Sequence, residues 1–210
     1  MKYDDEYYLL MEDARSGPYM LKQSKNSDAG LDLLFQRSIK REVFDRGHVQ
    51  ITWGDDGKFS PCDYHGLLPS GLVSDKFKKV LDSFNLRGVD FYETDLEHKG
   101  QVWADRYLVH VWQNYRALHQ GRTKIDGTFL RDRFTLESMS LDERVLDKVV
   151  LEDRLVFRLN EKPEYLYHET VVAALKAANV TGVRYVKVKD WGISSVFDSQ
   201  EEEDEFYDDL

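Results

Sequence analysis

Apolar residues recur at helical spacing in two places along the chain, and both places have the same surroundings. Phe77, Val80, Leu81 and Phe84 follow i, i+3, i+4, i+7 spacing, as do Val171, Ala174, Leu175 and Ala178. The stretches Leu72 to Glu93 and Leu166 to Lys187 align without a gap at an offset of 94 residues. Leu72/Leu166, Leu81/Leu175, Asn85/Asn179, Gly88/Gly182 and Val89/Val183 are identical pairs. After each helical run comes an Asn, then a Gly, then an alternating run that reads as a strand. The pattern therefore predicts a duplicated helix-turn-strand unit. Ser74 suits the N-cap of the first helix. His168 holds the same place in the second and is a poorer cap, so that helix should lean more on packing.

Elsewhere the pattern predicts strands at Glu6 to Leu10, His48 to Trp53 and Tyr107 to Trp112, the last buried. It predicts a helix within 28–44 around Leu31, Leu34 and Phe35, a turn at Gly54 to Gly57, and a loop from Ser60 to Ser70. Gly121 to Phe134 is polar and reads as an exposed connection. Val149 to Leu151 and Leu155 to Leu159 read as a hairpin entering the second unit. Each helix has one apolar face that it cannot bury alone, and two units on a shared sheet solve that. The expected fold class is α+β, with a mixed, mostly antiparallel sheet and packed helices. No linker-like segment cuts the chain, so residues 1–197 are expected to form one domain and 198–210 a separate acidic tail.

Composition changes this picture in one respect. The 210 residues carry a formal net charge of -10, and residues 198–210 (DSQEEEDEFYDDL) hold eight acids and no base. Without them the body is close to neutral, at about -2. The tail reads either as a solubilising end or as a docking arm for a basic partner. The docking reading nominates Glu201, Glu202, Glu203, Asp204, Glu205, Phe206, Tyr207, Asp208 and Asp209, with the two rings as anchors among the acids. No apolar run approaches the roughly 20 residues a membrane span needs, and the acidic N-terminus is unlike a signal peptide. With a single cysteine the chain forms no internal disulfide, and a cytoplasmic location is expected.

Candidate chemistry is sparse. Cys62 and His65 are the best nucleophile-base pair, but three residues of spacing in a Pro-flanked loop defines no geometry. The six histidines are scattered and no metal or phosphate motif occurs, so no cofactor is expected. His110 alternates with Leu108 and Trp112 and reads as a core histidine with a hydrogen-bond partner. The acid pairs Asp55/Asp56 and Asp95/Glu97 sit in turn-like sequence. Arg122, Lys124, Arg131 and Arg133 form a basic cluster, which the acidic balance argues against as a nucleic-acid site. Lys76, Lys78 and Lys79 read as the wet face of the first helix.

LVSDKFKKVLDSFNLRGVDFYE, the following YLVHVW, and VLEDRLVFRL leading to a second helix and TGVRYVKV carry a family resemblance. Over residues 70–190 the chain resembles a family of bacterial immunity proteins found beside polymorphic and type VI secreted toxins. Membership implies an α+β protein that binds and neutralises a cognate toxin, with no catalytic residues to carry over. The second copy departs at His168-Glu169, where the first has Ser74-Asp75, which weakens any functional claim for the Ser-Asp pair. An acidic surface suits a basic toxin such as a nuclease. Phe59, Tyr64 and Phe129 are the loop aromatics expected to anchor such an interface. The other readings are an enzyme that reverses a toxin's modification and a regulatory scaffold.

Overall fold

The structure, a computed structural model, describes residues 1–13, 20–23, 47–53, 59–67, 70–129, 133–192 and 195. The helix expected within 28–44, the turn at 54–57 and the tail 198–210 lie outside them. In chain order the described elements are α1 (Lys2–Glu6), β1 (Tyr7–Glu12), β2 (Met20–Gln23), β3 (Gly47–Trp53), β4 (Tyr64–Leu67) and β5 (Ser70–Ser74). Next come α2 (Asp75–Asp82), β6 (Val89–His98), β7 (Gln101–Val111), β8 (Asn114–Tyr115), β9 (Lys124–Thr128) and β10 (Arg133–Ser138). The last are α3 (Glu143–Leu146), β11 (Val156–Leu159), β12 (Tyr165–His168), α4 (Glu169–Ala177) and β13 (Val183–Lys187).

The duplicated unit is present in both copies, and it is larger than helix, turn and strand. Ser74 Oγ accepts from Phe77 N at 3.2 Å and starts α2, whose Phe77 and Leu81 are fully buried. His168 also caps its helix: Nδ1 accepts from Thr170 N at 3.3 Å. Asn85 and Asn179 end the two helices in the left-handed region, at φ 48 and 51. Gly88 and Gly182 follow at φ 73 and 78. The chain then enters β6 or β13.

In each unit the strands before and after the helix are parallel, and a third strand lies antiparallel between them. In the first unit that strand is β7, which pairs Leu72↔Leu108 and Ser74↔Arg106 on one side and Val89↔Val111 and Glu93↔Tyr107 on the other. In the second it is β1, from the start of the chain, which pairs Tyr7↔His168, Tyr8↔Lys187 and Glu12↔Val183. The registers coincide: Tyr8 stands where Tyr107 stands, and Leu9 where Leu108 stands. A preceding strand completes each sheet in the same way. Ser74 N donates to Asp63 O, and His168 N to Leu155 O, both at 2.9 Å. The sheet orders are β4-β5-β7-β6, extended by β3 and β2 next to β6, and β11-β12-β1-β13, extended by β8 next to β11. The two units are thus one motif, with the middle strand permuted to the N-terminus in the second.

Most ladders are antiparallel; β3–β6 and β11–β8 are parallel. The fold is therefore α+β with mixed, mostly antiparallel sheets. Both helices share one apolar cluster, in which Phe77 and Leu81 pack with Val171, Val172, Leu175, Val109 and Val156. Burying such side chains is the main stabilising term, about 1.5–3 kcal/mol each. The opposite face of the second sheet packs Tyr7, Leu9, Phe157 and Leu166 against Leu118, Phe134, Leu136 and Leu141. A smaller cluster of Leu72, Tyr92, Leu96 and Leu108 lies on the other face of the first sheet, with Phe59 and Trp103 against it.

Several local expectations are corrected. Glu6 closes a helix and the first strand starts at Tyr7, because buried Asp4 accepts from Leu141 N (2.7 Å) and Ser140 Oγ (2.8 Å) and holds the first turn. The expected loop from Ser60 to Ser70 contains β4, which forms only by pairing with β5. The polar stretch Gly121 to Phe134 is not merely a connection: it supplies β9 and the start of β10, and Phe134 is buried. Val149 to Leu151 is no strand. Val150 and Leu151 are exposed, and β11 pairs with β12 instead. The strand expected at Tyr107 to Trp112 is the inner half of the longer β7.

Candidate partner-binding surface

The nine tail residues nominated for partner binding, Glu201 to Asp209, lie outside the described residues. Asp55/Asp56 and Arg131 do too. Of the remaining nominees, Cys62, His65 and Lys76 sit at a seam where the repeat units meet.

At the first seam the Cys62–His65 pair is a structural latch. The backbone N–H of Cys62 donates to His65 Nε2 at 3.0 Å, and His65 Nδ1 faces Glu12 Oε1 at 3.3 Å. Nε2 is therefore the acceptor and Nδ1 the donor. The imidazole is fully buried and both nitrogens are engaged. The Cys62 side chain lies against Gly182, where a Cβ would come within 2.4 Å of its own Cβ. Next to it, Asp63 accepts from Ser74 Oγ (2.7 Å), from Thr181 N and Thr181 Oγ1 (both 2.9 Å), and from Lys76 Nζ (2.6 Å). Burial alone would raise its carboxyl, but Lys76, Thr181 and Ser74 together hold it below the usual carboxylate range. Lys76 Nζ also donates to Asn179 O at 2.9 Å, so this lysine ties α2 to the second turn. Lys78 and Lys79 pair along the helix with Asp82 and Asp75.

The second seam is reciprocal. Arg87, in the first turn, pairs with Asp153 ahead of β11 at 2.8 Å. Each Asn-x-x-Gly turn thus closes on residues that precede the first strand of the other unit. Asp63 and the permuted β1 carry this junction. Sequence reasoning read a strand near Glu6 to Leu10 and marked Gly182 and Asn179, but had no signal for Asp63 or for that strand's place in the second unit.

The expected anchors are packed inward. Tyr64 is buried and its hydroxyl donates to Leu10 O at 3.1 Å. Phe59 packs its ring against His65, His98 and Trp103, and Phe129 lies 4.8 Å from Phe134. A ring this engaged cannot leave to fill a partner's pocket without opening the fold. His110 is 1 % exposed, with Nδ1 at 3.4 Å from the Tyr92 hydroxyl, as a core histidine should be. Arg122 turns inward to Ser140 Oγ and Leu141 O, whereas Lys124 is exposed. Among the described residues no group of three His, Cys, Asp or Glu side chains is placed to hold a metal. None of their helices is long and apolar enough to cross a membrane.

Among the described residues, the surface around α4 carries two depressions. Between the helices runs a shallow groove with Val80, Ala174 and Ala177 in its floor and Asp75, Lys76, Lys79 and Ser83 at its rim. On the other side of α4, Tyr8, Val172, Ala173 and Lys176 line a second depression.

The model of an immunity protein family, Imm11, matches residues 43–190. The chain belongs to this family. It is an immunity protein. The match takes in both repeat units from β4 to β13 but leaves out β1, the strand that completes the second. No curated protein matches the chain.

Proposed function

We propose that this immunity protein binds a cognate toxin and neutralises it as a stoichiometric complex, without chemistry of its own. Family membership over residues 43–190 carries the reading. The geometry supports it, because the groups best suited to catalysis are committed elsewhere. His65 has both nitrogens engaged, and Asp63 accepts four hydrogen bonds or ion pairs that join the two units. We read residues 1–197 as one folded unit, since β1 cannot be separated from β12 and β13. A standard interface would bury about 1,600 Å² in total. The acidic residues Glu201 to Asp209 then act as a steering arm toward a basic toxin, a nuclease being the suited class, in the bacterial cytoplasm.

The test is protection titrated against toxin. A binder protects near one copy per toxin, and Cys62→Ala leaves protection intact. Protection at far below one copy per toxin would replace this reading with an enzymatic one. Deleting residues 198–210 should slow association and flatten its salt dependence. Unchanged association at low salt would reduce the tail to a solubiliser.

A further inference from the structure

Among the described residues β13 is an edge strand of its sheet, as β8 is at the other end. β13 pairs with β1 on one edge only, and Asp13 N donating to Gly182 O fixes the phase of that ladder. Arg184 and Val186 therefore turn their backbone groups toward β1, whereas Val183, Tyr185 and Lys187 turn theirs outward. These outward N–H and C=O groups meet no other strand among the described residues. In the first unit the counterpart, β6, runs five residues further and there takes β3 as a parallel neighbour. The matching residues Val89 to Glu93 also lack a neighbour on that side, but β13 ends at Lys187, so its whole outer edge has no strand partner among the described residues.

This edge carries unspent positive charge. Among the described residues neither Lys176 nor Lys187 makes an ion pair, although the Lys187 charge acts at a distance on the Asp5 carboxyl. Their ammonium groups lie over the Tyr8 ring at 5.7 Å, and that of Lys176 also over the Tyr185 ring at 5.2 Å. The Tyr185 hydroxyl is buried and has no hydrogen-bond partner among the described residues. Open edges invite strand addition, and lysines on them repel a second copy of the same edge. An acidic strand meets no such repulsion.

We infer that β13 is the docking edge for an extended, acidic segment of the partner toxin, which adds to the sheet as a further strand. Main-chain bonds to Val183, Tyr185 and Lys187 supply the affinity. Side chains of an added strand alternate between faces, so every second residue faces α4. Carboxylates at those positions meet Lys176 and Lys187. This rests on the reading that the partner is a toxin.

The experiment uses the full chain and the toxin domain encoded beside its gene. Amide exchange read residue by residue should slow at Val183, Tyr185 and Lys187 on adding toxin. Lys187→Pro removes one outward N–H. The residue already has φ -63, so the ring fits without strain and folding is kept. It should weaken binding at least about tenfold, whereas Lys187→Ala has a smaller effect that fades with salt. Wild-type binding with unchanged exchange at these amides, or full affinity in Lys187→Pro, overturns the docking edge and leaves the proposed function standing. Failure of wild type to bind the toxin overturns that function itself. Slow exchange in the free chain that is lost in a chain ending at residue 197 would give the edge to the protein's own acidic tail and also overturns the inference.

Discussion

Gly182→Ala isolates the junction between the two repeat units. Gly182 has φ +78, and a Cβ there would lie 2.4 Å from Cys62 Cβ and 2.6 Å from the Tyr64 carbonyl oxygen. The substitution thus adds two costs. Placing Ala in the left-handed region costs about 1–2 kcal/mol. Overpacking against backbone adds about 1–3 kcal/mol, because the segment carrying Tyr64 O is itself held by Tyr64 N donating to Thr181 O at 3.1 Å. The sum is about 2–5 kcal/mol. Gly100 is the control: its φ is +81, but a Cβ there meets nothing within 4 Å. Gly100→Ala should therefore cost only the conformational part. For a chain of this size about 1 kcal/mol lowers Tm by roughly 2–4 °C, so calorimetry separates the two variants. Gly88→Ala should cost about as much as Gly182→Ala, because its Cβ would lie 2.3 Å from Gln113 Cβ and 2.9 Å from Gln113 N, just past the end of β7 in the same unit. Cys62→Gly should recover part of the loss in Gly182→Ala but none in Gly88→Ala. Equal losses for Gly182→Ala and Gly100→Ala would refute the close approach of the two units.

Tyr7→Phe removes a buried hydroxyl that donates to Arg154 O at 2.9 Å and accepts from Arg154 Nη1 at 2.8 Å; the stranded partners should cost about 1–3 kcal/mol in chemical denaturation. Burial holds His168 below its ordinary value, against the opposing pull of Glu6 and Glu169 and aided by Arg154. Its folded form takes up a proton less readily than the unfolded chain, so stability should fall as pH drops below about 6.5. Protonating Nδ1 also removes the cap on Thr170 N, and His168→Ser, which copies Ser74, should flatten that pH window. Asp63 is depressed in the folded state, so its contribution is fully present above about 3.9 and is lost as pH falls through the lower folded value. Asp63→Asn should remove that acid-side loss while lowering stability at neutral pH.

Legibility followed the range of the interaction. The apolar faces of α2 and α4, the Ser74 cap, and the turns through Asn85 to Gly88 and Asn179 to Gly182 depend on neighbours within a few residues, and all were readable. β4 was not, because four residues containing a Gly and a buried His become a strand only when β5 lies beside them. The β9–β10 hairpin hid within polar sequence for the same reason. Phe59, Tyr64 and Phe129 looked like free anchors because nothing local showed what their rings would meet. At the candidate surface, Lys176 and Lys187 gave no signal, since their proximity depends on β1 bringing Tyr8 between α4 and β13.

By itself the sequence determined that a unit is used twice, with its helix face, its left-handed exit and its outgoing strand, since periodicity and backbone sterics act within one unit. Only the tertiary structure decided which strand fills the middle of each copy. β7 follows its own unit directly, whereas β1 reaches its place from more than 150 residues away. No periodicity spans that distance. Register and side-chain packing select the partner there, and that choice also places β13 at the edge of its sheet among the described residues.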